Sequence, residues 1–429
     1  MFNKILKKYQ INQFILNKWL KNTKNNCFKN LKKRKFPTNK DEDWINTNVN
    51  DFFKENFKLY PDNIEIDYSN LERYFFNNLT SYRIVFINNT FNSILSNIKN
   101  EINISTLSNI FSQKKYEKFI TSYYNSSPNY FESFFLLNTL FSNEGTFIKV
   151  KKNVKLSQPI EIINFSIDNN YGCIIHPRNF IFLEEGSEVQ IIEKNYNIGK
   201  TANLINSVCE IFLKKNAKIN FYKIQNDTLN TNLIDYTSIM QNKNSIANVY
   251  TFSIGGNLTR NNLNFYQQGE NSNSILRGIT LINKKQFVDH HTLVDHMFKN
   301  GKSNQVYRSI FNDFSKGVFN GKIIVNKKAQ KTNAFQKNDN LILSNNSCLN
   351  TKPQLEIYAD DVKCSHGCTI GQIEKEIVFY LQSRGIPKKE CKYLLAFIFI
   401  TNILDVSIPN NIKKEIKKLI INKLNIKII

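Results

Sequence analysis

Asn179-Phe180-Ile181-Phe182-Leu183-Glu184-Glu185-Gly186-Ser187-Glu188-Val189-Gln190-Ile191-Ile192-Glu193 reads as two short strands joined by a tight turn. Both runs are rich in β-branched and aromatic residues, and Glu185-Gly186-Ser187 supplies the turn chemistry between them. The phrase returns as Cys209–Leu213, Lys215-Asn216-Ala217 and Lys218–Ile224. Further runs follow the same form, among them Phe147–Val150, Ile160–Phe165, Asn248–Ile254, Ile275–Leu281, Gln305–Phe311, Gly317–Val325, Leu341–Leu343 and Leu355–Ala359. Gly255-Gly256-Asn257 and Gly269-Glu270-Asn271 are two of the breaks between them. No long amphipathic helix interrupts the series. Many short strands in succession mean a sandwich, a barrel or a β-solenoid. The run from about Thr146 to Ile370 is long for one compact sandwich, and the recurring phrase has no fixed Cys or aromatic marker. A solenoid, stabilised by stacking of coils, is the expected core.

The flanks read differently. Residues 1–36 are basic and helical in pattern, with Trp19 and Leu20 near an apolar stripe, and Pro37 ends that pattern. Tyr82–Ile87 is a clear strand, and Lys114–Phe141 reads as helix broken at Ser127-Pro128. After Gly371 three helical patterns follow: Gln372–Arg384, Lys388–Leu404 and a third beginning at Pro409, with Ile412, Ile416, Leu419, Ile420 and Leu424 on one face. The expected organisation is a mixed α/β domain over 1–145, a β-helix core over 146–370 and a helical domain over 371–429.

Composition excludes several classes. The net charge of +23 suggests nucleic acid, but it comes from 50 lysines and eight arginines spread along the chain, with Asn, Ile and Phe also over-used. That is the mark of an AT-rich coding bias, so no nucleic-acid partner is expected. The most apolar run, Tyr393–Ile400, is too short to span a bilayer, and no secretory signal is apparent. Seven cysteines at irregular spacing argue against a disulfide framework and for a reducing compartment, the cytoplasm. There is no phosphate loop: Gly301-Lys302-Ser303 has His296 where the first glycine belongs. There is no nucleophile elbow or dinucleotide-binding turn.

One stretch carries candidate chemistry. In Lys352–Gly371 an alternating strand is interrupted by Asp360-Asp361, after which Val362, Cys364, His366, Cys368 and Ile370 fall on alternate positions. If the strand resumes, two thiols and an imidazole share one face, a donor set suited to Fe, Zn or Cu or to carrying a reactive sulfur. The spacing is not that of a zinc finger. A second histidine group, Asp289-His290-His291-Thr292-Leu293-Val294-Asp295-His296, places His290 and His296 on one strand parity and His291 on the other. Its spacing is not that of a zincin, and it reads as strand packing.

The run Thr351–Gly367, with its Tyr358-Ala359-Asp360-Asp361-Val362-Lys363-Cys364-Ser365-His366 phrase, closely resembles the SufD subunits of the SUF iron–sulfur cluster assembly scaffold. Phe379–Ile386 is similar to a downstream signature of that family, and Pro37–Trp44 to its Pro-Thr-x-x-x-Glu-x-Trp segment. Cys368 departs from the pattern, since the family has a small residue there. The resemblance implies a mainly β protein, a right-handed parallel β-helix with an N-terminal α/β domain and a C-terminal helical domain. It implies a non-catalytic scaffold subunit that pairs with a SufB-like subunit through the β-helix and with a SufC-like ATPase through the C-terminal helices. It also implies that an iron–sulfur cluster or iron is held transiently near the SufB interface, with His366 and then Cys364 as ligands. The competing readings are a carbohydrate-active β-helix enzyme using Glu356, Asp360 and Asp361, and a purely structural partner of SufB.

Overall fold

The computed structural model describes residues 17–34, 36–49, 67–76, 79–98, 103–167, 171–405 and 408–425. Among the described residues, twenty strands form two large sheets. Sheet one contains β1 (Tyr82–Ile87), β2 (Thr90–Phe91), β5 (Ile160–Ile167), β8 (Glu188–Ile198), β10 (Lys218–Gln225), β12 (Ile246–Ser253), β14 (Asn273–Ile282), β16 (Lys302–Phe311), β18 (Asn333–Ile342) and β20 (Lys363–Gly371), in the order β2-β1-β5-β8-β10-β12-β14-β16-β18-β20. Sheet two contains β3 (Asn103–Thr106), β4 (Thr146–Val150), β7 (Arg178–Leu183), β9 (Asn203–Leu213), β11 (Thr231–Gln241), β13 (Leu258–Gln267), β15 (Phe287–His296), β17 (Lys316–Val325) and β19 (Cys348–Ile357), with the short β6 (Ile174–Ile175) beside β9.

From β7 onward the chain alternates between sheets, and each strand pairs in parallel with the one two places later. This is the expected β-helix, of about eight turns. Glu188, Lys218, Ile246, Asn273, Lys302, Asn333 and Lys363 stack in one column, at steps of 30, 28, 27, 29, 31 and 30 residues.

The turn phrases explain why the coils stack. Asn153, Gly186, Asn216, Asn244, Asn271, Asn300 and Lys331 all take positive φ, between 57° and 68°. Each sits at the same corner of its coil and donates its backbone N–H to a carbonyl of the next coil, Asn216 to Lys243 O at 3.0 Å and Asn244 to Glu270 O at 2.9 Å. Asn is the non-glycine residue that best tolerates this left-handed region. The Asn side chains also bond to one another: Asn244 Nδ2 donates to Asn216 Oδ1, and Asn271 Nδ2 to Asn244 Oδ1, both at 3.0 Å.

Alternate strand residues point inward and outward. The inward set includes Ile162, Ile191, Ile211, Ile219, Phe221, Ile239, Val249, Phe265 and Ile323, which form the apolar centre. Helices cover much of the outward sets of the earlier coils. On sheet two, α1 (Lys18–Arg34) and α4 (Ser133–Phe141) bury Cys27, Leu31, Phe134 and Leu137 against Ile174, Leu204, Val208 and Ile234. Between them in sequence lie the small helices α2 (Leu107–Ser112) and α3 (Lys114–Tyr123). The first part of the expected basic helix, residues 1–16, lies outside the described residues.

On sheet one, Tyr222, Ile224, Tyr250, Phe252, Ile279, Leu281 and Ile310 are covered by Ala396 and Ile400 of α6 (Lys388–Thr401) and by Ile412, Ile416 and Ile420 of α7 (Asn410–Leu424). The preceding helix α5 (Lys375–Ser383) buries only Val378. The C-terminal helices thus fold back along a sheet face rather than plugging the last coil. No helix among the described residues is long and apolar enough to cross a membrane.

Three buried ion pairs on the outer faces hold N-terminal segments down. Arg178 pairs with Glu210, whose carboxylate also accepts the backbone N–H groups of Asn125 and Ser127. Lys194 lies 2.6 Å from Glu161, which Ser81 also reaches. Arg260 pairs with Asp289, which receives the Thr47 hydroxyl.

Candidate functional site

The strand does resume after Asp360-Asp361. β20 pairs with β18 so that Cys364, His366 and Cys368 lie beside Ala334, Gln336 and Asn338. The bore narrows in chemistry along this column. Ile160, Ile191, Phe221, Val249 and Leu276 give way to Gln305, Gln336 and His366 in register. Gln336 Nε2 donates to Gln305 Oε1 at 3.1 Å, and Gln305 Nε2 to Thr292 Oγ1 at 2.7 Å. His366 ends the column. Because β20 closes sheet one, no strand lies beyond it among the described residues, and His366 is exposed.

The two cysteines behave differently. Cys364 is half-buried and packs against the apolar core, and burial pushes its thiol above the usual value, against a backbone hydrogen bond at Ala334. Cys368 turns across the bore: its Sγ lies 3.2 Å from Thr351 Oγ1 on β19 and 3.7 Å from Asn338 Oδ1. Same-face neighbours on a strand are spaced about 6–7 Å apart, so three such residues cannot close on one ion unaided. Among the described residues no group of three His, Cys, Asp or Glu is assembled for a metal. Asp360 and Asp361 are exposed at the turn, where the Asp361 N–H donates to Gln330 Oε1 at 3.0 Å. Exposed apolar residues surround this end of the coil: Phe335, Ile357, Tyr358 and Ile370.

The second histidine group is the strand β15, with the alternation expected. His290 and His296 face the interior. With Asn261 Nδ2 donating at 3.3 Å, His290 Nδ1 accepts, and its Nε2–H reaches Thr280 Oγ1 at 2.9 Å. His296 Nε2 lies 2.9 Å from Ser303 Oγ. Burial holds both rings neutral, at about 4.

His291 faces outward with Asp289, at 2.9 Å. Burial would raise the Asp289 carboxyl, but Arg260 and His291 outweigh it and hold it at about 2. Over this pair lies the Pro37–Trp44 segment. The Arg260 guanidinium sits 3.7 Å from the Trp44 ring centre, and Lys352 pairs with Glu42 at 2.5 Å.

The sequence reading missed a charged cluster inside the coil. Lys223 Nζ lies 2.9 Å from Glu193 and 2.8 Å from Asp235, and it donates to Thr237 Oγ1 at 2.7 Å. Asn179 Nδ2 donates to Glu193 at 2.8 Å. Burial alone would lower the Lys223 ammonium, but the Asp235 and Glu193 carboxylates hold it above its ordinary value. Burial raises the Glu193 carboxyl, against the pull of the Lys223 ammonium beside it. The signal was present: Phe221, Lys223 and Gln225 alternate on one parity, which marks Lys223 as inward.

Residues 165–399 match the family model described as "SUF system FeS cluster assembly, SufBD core domain", and residues 6–162 match "SufBD protein N-terminal region". An iron–sulfur cluster assembly SufBD family protein of Synechocystis sp. is 30% identical over 382 residues, covering 86% of this chain and 84% of the relative. The iron–sulfur cluster assembly protein SufD of Escherichia coli is 28% identical over 287 residues, covering 66% and 68%. The chloroplastic protein ABCI7 of Arabidopsis thaliana is 31% identical over 288 residues, covering 65% and 60%.

Proposed function

Because this chain belongs to the SufBD family of iron–sulfur cluster assembly proteins and is SufD-like, we propose that it is a non-catalytic scaffold subunit that completes its cluster site only with a partner. One observation carries the reading. His366 and Cys364 lie on the edge strand of the last coil, at the open end of the bore, without a third ligand among the described residues. The remaining donors then come from a SufB-like subunit whose own coil continues the sheets. Unpaired strand edges favour such pairing, and exposed Phe335, Ile357, Tyr358 and Ile370 supply apolar area for it.

The cluster or iron is cargo, held transiently. His366 is the first ligand, since it is exposed. Cys364 is the second, and its raised thiol must lose a proton to bind iron, so its affinity falls with acidity. ATP hydrolysis belongs to a SufC-like subunit docked on α5 and α6, where Ile377, Phe379, Tyr380, Leu394 and Ile398 are exposed. Seven cysteines, none of them in a disulfide, suit a reducing compartment, the cytoplasm.

The test is iron and sulfide analysis of the complex purified from cells that co-express the partner subunits. His366→Ala should assemble the complex and lose most of its iron and sulfide. Normal content in that variant would reduce the chain to a structural partner.

A further inference from the structure

The outward face of sheet one changes character at one column. In register it reads Lys194, Ile224, Phe252, Ile279, Arg308, Asp339 and Thr369. Ile224, Phe252 and Ile279 lie beneath the C-terminal helices. The apolar part of this column ends at Arg308, beside the last turn of α6. There Arg308 Nη1 donates to Phe399 O at 2.6 Å, a carbonyl of the last turn of α6, and the guanidinium sits 5.3 Å from the Phe399 ring centre. A cation at that end satisfies a carbonyl the helix leaves open and complements the negative end of its dipole.

Arg308 also faces Asp339. Its Nε lies 3.8 Å from Asp339 Oδ2, and Lys337 lies 3.1 Å from the same oxygen. The other carboxylate oxygen, Oδ1, accepts the Thr369 hydroxyl at 3.0 Å. Asp339 is nearly buried, at 6% exposure, so its orientation is constrained. A connected path therefore runs from the end of α6 through β16 and β18 to β20. Thr369 lies three residues beyond His366 on that strand. Among the described residues β20 has a strand neighbour on one side only, so its outward side chains are a second tie to the molecule.

We propose that Arg308 is a positioning residue: through Asp339 it holds the edge strand β20, and with it His366, against the end of α6. The functional consequence rests on the reading of His366 given above; the mechanical one does not.

The test is amide hydrogen exchange on the full chain, with Arg308→Ala, Arg308→Lys and Asp339→Asn. Arg308→Ala should speed exchange across 363–371 by about tenfold while leaving β10 and β12 unchanged. Arg308→Lys should restore protection, because it keeps a cation between Phe399 O and Asp339. Should Arg308→Ala fail to fold, Asp339→Asn gives the same reading. Unchanged exchange over 363–371, equal acceleration everywhere, or no rescue by lysine would each overturn the proposal. In the complex with its partners, the iron content of Arg308→Ala should fall and that of Arg308→Lys should recover. If His366→Ala keeps its iron while Arg308→Ala still loosens β20, the site reading fails and the positioning role stands.

Discussion

Cys368 Sγ lies 3.2 Å from Thr351 Oγ1, across the bore of the last coil. The thiol is engaged with a hydroxyl and an amide rather than turned toward His366. Cys368→Ala should therefore leave the iron content of the complex unchanged. It should cost no more than about 1 kcal/mol in denaturant unfolding, since a half-buried S–H is a weak donor. Cys364→Ser should lower iron content partially. Iron lost with Cys368→Ala as severely as with His366→Ala would make the second thiol a ligand after all.

Removing the C-terminal helices would not isolate a docking function. Truncation before Gln372 uncovers Tyr222, Tyr250, Phe252, Ile279 and Leu281, and the shortened chain should aggregate. Phe379 is a cleaner probe, being 73% exposed. Phe379→Glu should leave the thermal midpoint within about 2 °C of the parent, as surface changes do, and abolish co-purification of the ATPase subunit. Retained co-purification would move the docking surface elsewhere.

Arg260→Ala removes one half of a buried pair and leaves the Asp289 carboxylate without its cation. The expected cost is about 3–5 kcal/mol, read from urea unfolding. Lys352→Ala breaks only the exposed pair with Glu42 and should leave the urea midpoint almost unmoved. Similar costs for the two would mean that the Trp44 segment is not clamped through Asp289.

Acid should unfold the protein through its buried histidines. His290 and His296 titrate at about 4 in the fold, and His176 at about 3, all depressed by burial. Above an unfolded value of about 6.5 they are neutral in both states and neither favour nor oppose folding. As pH falls below that, the unfolded chain binds protons that the fold excludes, so stability drops until the folded values are passed. Each histidine accounts for roughly 1–3 kcal/mol of this loss. Asp227, raised by burial to about 6, works the other way between its unfolded value and 6. Denaturation midpoints from pH 7 to 4 should fall, and His296→Gln should flatten the slope. A flat profile in the parent would show that the rings are not held neutral.

The β-helix was legible because its two signals are local. Strand composition and the Glu185-Gly186-Ser187 and Lys215-Asn216-Ala217 breaks each reflect a requirement of a single corner. The shared face of Cys364, His366 and Cys368, and the division of His290 from His291, followed from the strand period alone. Contacts between distant segments could not be read this way. Nothing near Trp44 announces Arg260, more than two hundred residues away, and nothing near Arg308 announces Phe399. Lys223 was hidden for a different reason. In a chain with 50 lysines, an inward one carries no compositional mark, and only its parity separates it from the solvated rest.

The left-handed corner bears on how such a sequence can drift. Among the described residues, twelve non-glycine positions take positive φ and nine of them are asparagine, in a chain with only 14 glycines. Glycine is spelled by GC-rich codons and asparagine by AT-rich ones. A genome losing GC content would be expected to lose glycine codons, and most folds depend on glycine at their tight turns. Here the coil accepts asparagine at the same backbone angles and links its side chains into a ladder besides. A glycine-to-asparagine change at such a corner would keep its backbone angles and add a ladder contact, leaving the geometry of the bore, with His366 at its end, alone.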